Sequence, residues 1–171
     1  MSRILKGLAV VGAVVAMGAP AHSEGGLVTS KELSLDMAMG IAQAALAECR
    51  NKGLHTAVVV VDKGAHVLVS LRDEQATPQT GELARRKAYT ARMYRSTTME
   101  WIARMQKDPA LAAQRDLDDV IALGGGVPIK VGEETIGGVG SAGSSQPQDD
   151  ACAKAGVAKY PELNFAPRAG G

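Results

Sequence analysis

The sequence predicts a single α+β domain, one mostly antiparallel sheet with helices packed on it. Three patterns carry this reading. A helical apolar repeat comes first, two β-branched runs around a tight turn follow, and a second pair of strand-like runs returns near residue 130. Hairpins imply antiparallel pairing, and helices grouped between hairpins argue against a doubly wound sheet. The 171 residues suffice for one core and not for a second full domain. Apolar residues at 46% with charged residues at 22% are the balance of a soluble globular chain.

Ser34 stands where a helix cap is needed, and Asp36 follows in the first turn, where the helix dipole favours an acid. Met37, Ile41, Ala45 and Cys49 recur every fourth residue and mark one face of a helix ending near Lys52, with Gly53 as the stop. Its alanines allow close packing on a sheet. Val58-Val59-Val60-Val61 reads as a buried strand, Asp62-Lys63-Gly64-Ala65 as a turn and residues 67–71 as the returning strand. Residues 72–79 form a polar loop. Thr80 is placed to cap a second helix running to about Tyr94, whose Arg85, Arg86, Lys87, Arg92 and Arg95 read as a solvated basic face. Thr97 and Glu100 stand in capping-box spacing and open a third helix holding Trp101, Ile102 and Met105. Residues 109–117 make a short turn or helix, and residues 120–123 begin a second β region. Residues 128–131 and 135–139 form a hairpin around Gly132-Glu133. Residues 140–148 form a loop of small polar residues, residues 148–159 a last helix, and residues 161–171 a frayed tail.

Residues 1–23 have the form of a secretory signal peptide. Arg3 and Lys6 precede an apolar run, residues 8–17, too short to span a bilayer, and Ala19-Pro20-Ala21 or Ala21-His22-Ser23 supplies the cleavage site. Cleavage moves the formal net charge from +1 to about −1. The expected plan is therefore a leader (1–23), an arm (24–33), a domain (34–160) and the tail. The mature protein is expected to be periplasmic or secreted, with no stable membrane insertion. Export opens the option of a Cys49–Cys152 bridge, but disulfide geometry is demanding and the expectation is two buried thiols.

Near-neutral charge argues against nucleic acid as a partner. The five aromatics (Tyr89, Tyr94, Trp101, Tyr160 and Phe165) are too few for a base-stacking platform. Gly138 to Gly143 matches G-x-G-x-x-G, yet no helix begins at once and the chain ends before a second βαβ strand; the glycines read instead as a tight loop whose backbone approaches a ligand or a neighbouring subunit. Phosphate-loop, nucleophile-elbow, C-x-x-C and H-E-x-x-H patterns are absent. His55 and His66 are the histidines retained in any mature form, which excludes a three-histidine zinc site. His55, just before a buried strand, is the candidate metal or haem donor; His66 lies in a hairpin turn. Met93, Met99 and Met105 are assigned to core packing.

Several segments together resemble the GlcG/HbpS-like family, which is similar to the C-terminal domain of PduO. They are the hairpin from Val58 to Val69 around Asp62-Lys63-Gly64-Ala65, Arg72-Asp73-Glu74-Gln75-Ala76, Arg86-Lys87-Ala88-Tyr89-Thr90-Ala91, Gly124-Gly125-Gly126-Val127-Pro128-Ile129, Ile136 to Gly143, and Asp149-Asp150 followed by Ala153 and Ala155-Gly156. The resemblance implies a profilin- or PAS-like three-layer α/β/α fold with a five-stranded antiparallel sheet. It also implies a homo-oligomer and, for exported members, haem binding. On that basis Arg72, Arg86 and Lys87 would meet haem propionates and Thr90 would face the slot; His55, read from its own position, and Glu74 join them in the expected binding set. Asp73 and Gln75 depart from the family's Arg-Met-Asp-Gly-Ala stretch, and Gln79 stands where related sequences place His. The leading expectation is an exported haem or tetrapyrrole-binding carrier, store or sensor accessory. The alternative is a cofactor-independent enzyme or binding protein for a small hydroxy or oxo acid. In that reading Asp62, Glu74 and His55 serve as acid–base groups, and Arg72 or Lys87 holds the carboxylate. A third reading is an oligomer that only scaffolds a partner.

Overall fold

The structure, a computed structural model, describes residues 26 and 28–166; the expected leader and residues 167–171 lie outside the described residues. The chain divides into two compact units, Met1–Ser30 and Lys31–Gly171. The few described residues of the first form no helix or strand. The second holds, in order, α1 (Leu35–Asn51), β1 (Ala57–Val61), β2 (Val67–Arg72), α2 (Thr80–Tyr94), α3 (Thr98–Lys107), a 3-10 helix (Pro109–Asp116), β3 (Gly126–Val131), β4 (Glu134–Ala142) and α4 (Gln146–Ala158). No helix among the described residues is long and apolar enough to cross a membrane.

The expected caps of α1 and α3 form. The Ser34 side chain accepts from the Met37 N–H, and Thr97 with Glu100 makes a reciprocal capping box. Thr80 does not cap α2; Gln79 holds the cap position without a side-chain bond, while the Thr80 hydroxyl donates to the Thr77 carbonyl.

The sheet has four antiparallel strands in the order β2-β1-β4-β3, not five. Outside β3 lies a single bridge, Lys130 with Asn164, made by two backbone hydrogen bonds. Residues 120–123 form no strand either. The Ile121 N–H donates to Thr90 Oγ1 and the Val120 carbonyl accepts from Arg86, so α2 side chains take the place of a ladder. Residues 161–166 are docked rather than frayed: Leu163 is buried and the Ala166 carbonyl accepts from Lys130 Nζ. The end of the arm is anchored too, since Leu33 joins the core.

The pleat of β1 divides the core. Val58 and Val60 face α1 and α4, whereas Ala57, Val59 and Val61 face α2. On the second face α2 lies backbone against backbone on β4. A Cβ at Gly140 would run into the Ala84 carbonyl, and one at Gly138 would sit 2.5 Å from the Ala88 carbonyl. The glycine-rich motif is therefore strand for most of its length, and its glycines admit a helix of the same chain rather than a ligand or a neighbouring subunit. The expected loop starts only after Ala142.

The two expected thiols are joined. Because α1 and α4 pack side by side, the Cα atoms of Cys49 and Cys152 are 5.5 Å apart and a disulfide closes between them, both residues fully buried. The bridge spans 103 residues, and restricting so long a loop in the unfolded chain stabilises the fold. Replacing both cysteines with serine, or adding a reductant, is expected to lower unfolding stability by about 2–5 kcal/mol. Urea denaturation with and without reductant measures this.

Candidate functional site

The β1–β2 register pairs Ala57 with Arg72, so the next residues outward, Thr56 and Asp73, meet at the sheet's end. The Asp73 N–H donates to the Thr56 carbonyl at 3.0 Å. Behind them stands Arg50, in the last turn of α1. The buried Asp73 carboxylate is the hub. Oδ1 lies 3.0 Å from His55 Nδ1 and accepts from the Gln75 N–H at 3.0 Å, while Oδ2 accepts from Arg50 Nε at 2.6 Å. Arg50 Nη2 reaches on to Glu74 at 3.1 Å. The Gln75 amide first, then the Arg50 hydrogen bond, hold the Asp73 carboxyl down at about 2 against the opposing effect of burial.

An ionised Asp73 can only accept at Nδ1. In the neutral ring the proton therefore sits on Nδ1, and Nε2 offers its lone pair. The His55 side chain is 42% exposed, so that nitrogen is available to a ligand from solution. Beside it, Arg72 spends Nη1 on the carbonyls of Asp73 and Ala76 and otherwise lies exposed. Glu74 is exposed and paired with Arg50. The structure thus brings together His55, Arg72 and Glu74 of the expected set.

Arg86, Lys87 and Thr90 are engaged elsewhere. Lys87 points inward: its Nζ pairs with Asp149 at 2.8 Å and donates to the Ser141 carbonyl at 2.9 Å, with both ionic side chains almost fully buried. Ser144 donates to the other oxygen of Asp149 through its hydroxyl (2.7 Å) and its N–H (3.2 Å). Drawing Lys87 out to a propionate would strand a buried carboxylate, a loss of about 3–5 kcal/mol. The expectation for Lys87 is corrected on that ground. Thr90 is sealed, its hydroxyl donating to the Arg86 carbonyl and accepting from Ile121, and faces no slot. Arg86 Nη2 donates to the Val120 carbonyl at 2.6 Å. The acid Asp62 follows the opposite end of β1 from His55 and partners the exposed His66. Of the three methionines, only Met105 is buried, beside Trp101; Met93 and Met99 are exposed.

An apolar cleft of about 340 Å³ opens between α3 and the 3-10 helix, lined by Ile102, Met105, Pro109, Ala112 and Ala122 with Arg115 at its edge. It contains none of the expected site residues.

Sequence reasoning missed Asp73 and Arg50 as parts of the site. Asp73 was recoverable from the hairpin, because residue 73 must oppose residue 56 once Ala57 pairs with Arg72. Arg50 arrives from another element, and local spacing carries no sign of it.

The chemistry of the donor set can be tested against haem. Among the described residues no group of three or more His, Cys, Asp or Glu is placed to hold a metal ion. One outward imidazole nitrogen, backed by a carboxylate, fits an iron whose other ligands come from a macrocycle better than it fits a bare ion. Arg72 supplies a cation nearby, whereas Arg50 is spent on Asp73 and Glu74. His55 fits the group as a donor and Arg72 as a partner for its anionic side groups.

Together these observations define a three-layer α+β domain with a part-exposed histidine, His55, held by the buried Asp73 carboxylate at one end of its sheet. The family model described as "Haem degrading protein HbpS-like" matches residues 33–158, and the chain belongs to that family. A crystal structure of a double mutant of Streptomyces reticuli HbpS superposes with TM-score 0.74 at 35% identity, covering 83% of this chain and 97% of that one. The crystal structure titled "PduOC:Heme Complex" superposes with TM-score 0.72 at 26% identity, covering 79% and 99%. A Citrobacter freundii protein described as an uncharacterized 15.0 kDa protein of the dhaT-dhaS intergenic region is 28% identical over 133 residues, 77% of this chain and 94% of its own length.

The Asp73 carboxyl is depressed on folding, so its contribution to stability is full above pH about 4 and is lost as pH falls toward about 2. Unfolding stability measured across that window is expected to fall less steeply in Asp73→Asn than in the parent.

Proposed function

We propose that this protein is an exported haem-binding protein that holds haem at the surface through His55 and serves as a carrier, store or sensor accessory. The observation that carries the reading is the His55–Asp73 pair, which leaves one imidazole lone pair directed to solvent. Family membership and the haem complex of a relative support it. Haem, when bound, would supply an iron centre open to redox and ligand-exchange chemistry. His55 would hold the iron, while Asp73 fixes its tautomer and Arg50 holds Asp73. Arg72 would meet a propionate, with Glu74 at the rim limiting how many anions approach. Arg86, Lys87 and Thr90 act behind this set by fixing α2 and the chain around it.

A group held at an exposed edge, away from the α3 cleft, exchanges readily, which suits delivery or storage. The Cys49–Cys152 bridge supports an oxidising compartment and so a periplasmic or secreted location. We include self-association in the proposal, since a second copy would cover the outer side of a surface haem.

A second reading keeps one observation in its favour. The same His–Asp pair is the arrangement of an oriented general base, and Arg72 beside it would hold the carboxylate of a small hydroxy or oxo acid. Asp62 and Lys87 take no part in it, for the reasons of position given above.

Haemin titration of the mature chain followed by visible absorption tests the proposal. A saturable Soret shift near equimolar haem is expected, weakened about tenfold or more in His55→Ala and about 10–100-fold in Asp73→Asn. A featureless, non-saturating titration overturns haem binding. A shift indifferent to His55→Ala overturns the assigned donor.

A further inference from the structure

At the opposite end of the β1–β2 hairpin the basic face of α2 does something its sequence pattern hides. A polar cleft of about 180 Å³ lies between the C-terminal end of α2 and the turns of both hairpins, lined by Lys63, Arg92, Arg95, Glu133, Glu134 and Thr135. Lys63 Nζ is paired with Glu134 at 2.5 Å, which neutralises that acid. The two guanidinium groups are not neutralised in this way. Among the described residues, the one hydrogen bond of Arg92 runs from Nε to the Lys63 carbonyl at 2.7 Å, and Arg95 makes none. Arg92 is half-buried, and desolvation together with the charge of Arg95 bears on it, only partly offset by Asp62 and Glu32.

Two further features point to a ligand rather than to a solvated surface. Thr135 is 7% exposed, and its hydroxyl has no hydrogen-bond partner among the described residues. A buried hydroxyl left in this state is costly, and a ligand group would relieve it. Arg95 closes α2 in the left-handed conformation, φ 56° and ψ 31°. That position favours glycine, and a long charged side chain there is strained without compensation. Glycine would end the helix at lower cost.

We propose that this cleft is a binding site for a small oxyanion, a phosphate or carboxylate group, gripped by Arg92 and Arg95 with Thr135 donating its hydroxyl. Guanidinium forks match the oxygens of both groups in geometry and charge. The cleft volume admits one such group and not a haem. The site is separate from His55 and stands whether or not haem binds there.

Isothermal titration of the mature chain with inorganic phosphate, and separately with succinate, tests it at low ionic strength. Saturable binding of at least one probe is expected, with the tighter probe assigning the class. Arg95→Gly is expected to weaken that binding tenfold or more while leaving the melting temperature equal or higher, because glycine relieves the left-handed turn. Thr135→Val is expected to weaken it several-fold without loss of melting temperature. No saturable binding of either probe overturns the proposal. So does binding that survives Arg95→Gly unchanged, which would leave the two arginines as partners of the helix dipole alone.

Discussion

The placement of α2 on β4 decides most of what this molecule presents. The helix lies as close as backbone allows, because Gly138 and Gly140 offer no Cβ to hold Ala84 and Ala88 away. From that position Lys87 enters the interior and meets Asp149 and the Ser141 carbonyl. Arg86, beside Lys87 in sequence, and Thr90, about one turn on, fasten the chain at residues 120–121. At the helix end Arg92 reaches the β1–β2 turn. A helix raised by a methyl group would lose each of these connections. The buried Lys87–Asp149 pair is tolerable because hydrogen bonds from Ser144 and to Ser141 complete it; alone, such a pair barely repays its desolvation.

The other end of the sheet is organised by a carboxylate. Asp73 gathers a backbone amide, a guanidinium and an imidazole, drawn from three segments of chain. Arg50 is adjacent in sequence to Cys49, so the disulfide that ties α1 to α4 also fixes the stretch of helix from which Arg50 reaches Asp73. Core, bridge and site are thus coupled through neighbouring residues. His55 is rigid at Nδ1 and open at Nε2, which is the arrangement a donor to an external partner needs.

What the sequence made legible was local or periodic. The repeat of Met37, Ile41, Ala45 and Cys49 placed α1, the valine run and its turn placed the first hairpin, and Thr97 with Glu100 placed the start of α3. The resemblance to a family extended this to the layering, while His55 was singled out by its own position just before the valine run. What it did not make legible depended on partners distant in sequence. Residues 120–123 have the composition of a strand, but their hydrogen bonds go to side chains of α2. Lys87 sits in a basic run that reads as solvated until Asp149, 62 residues later, is seen to face it. The pairing of Cys49 with Cys152 required knowing that α1 and α4 lie on the same face. The resemblance implied five strands where the described residues form four, with one isolated bridge, Lys130 to Asn164, outside them.

The central claim is that Asp73 fixes His55 with its proton on Nδ1 and its lone pair outward on Nε2, ready for a ligand. Nitrogen-15 NMR of the histidine rings measures this directly, because protonated and lone-pair nitrogens of a neutral imidazole differ widely in shift. The account requires a protonated Nδ1 and a lone-pair Nε2 for His55, with the Nε2 signal the first to change on adding haemin. A His55 protonated on Nε2, or an Nε2 signal that haemin leaves untouched while a Soret band develops, would contradict it.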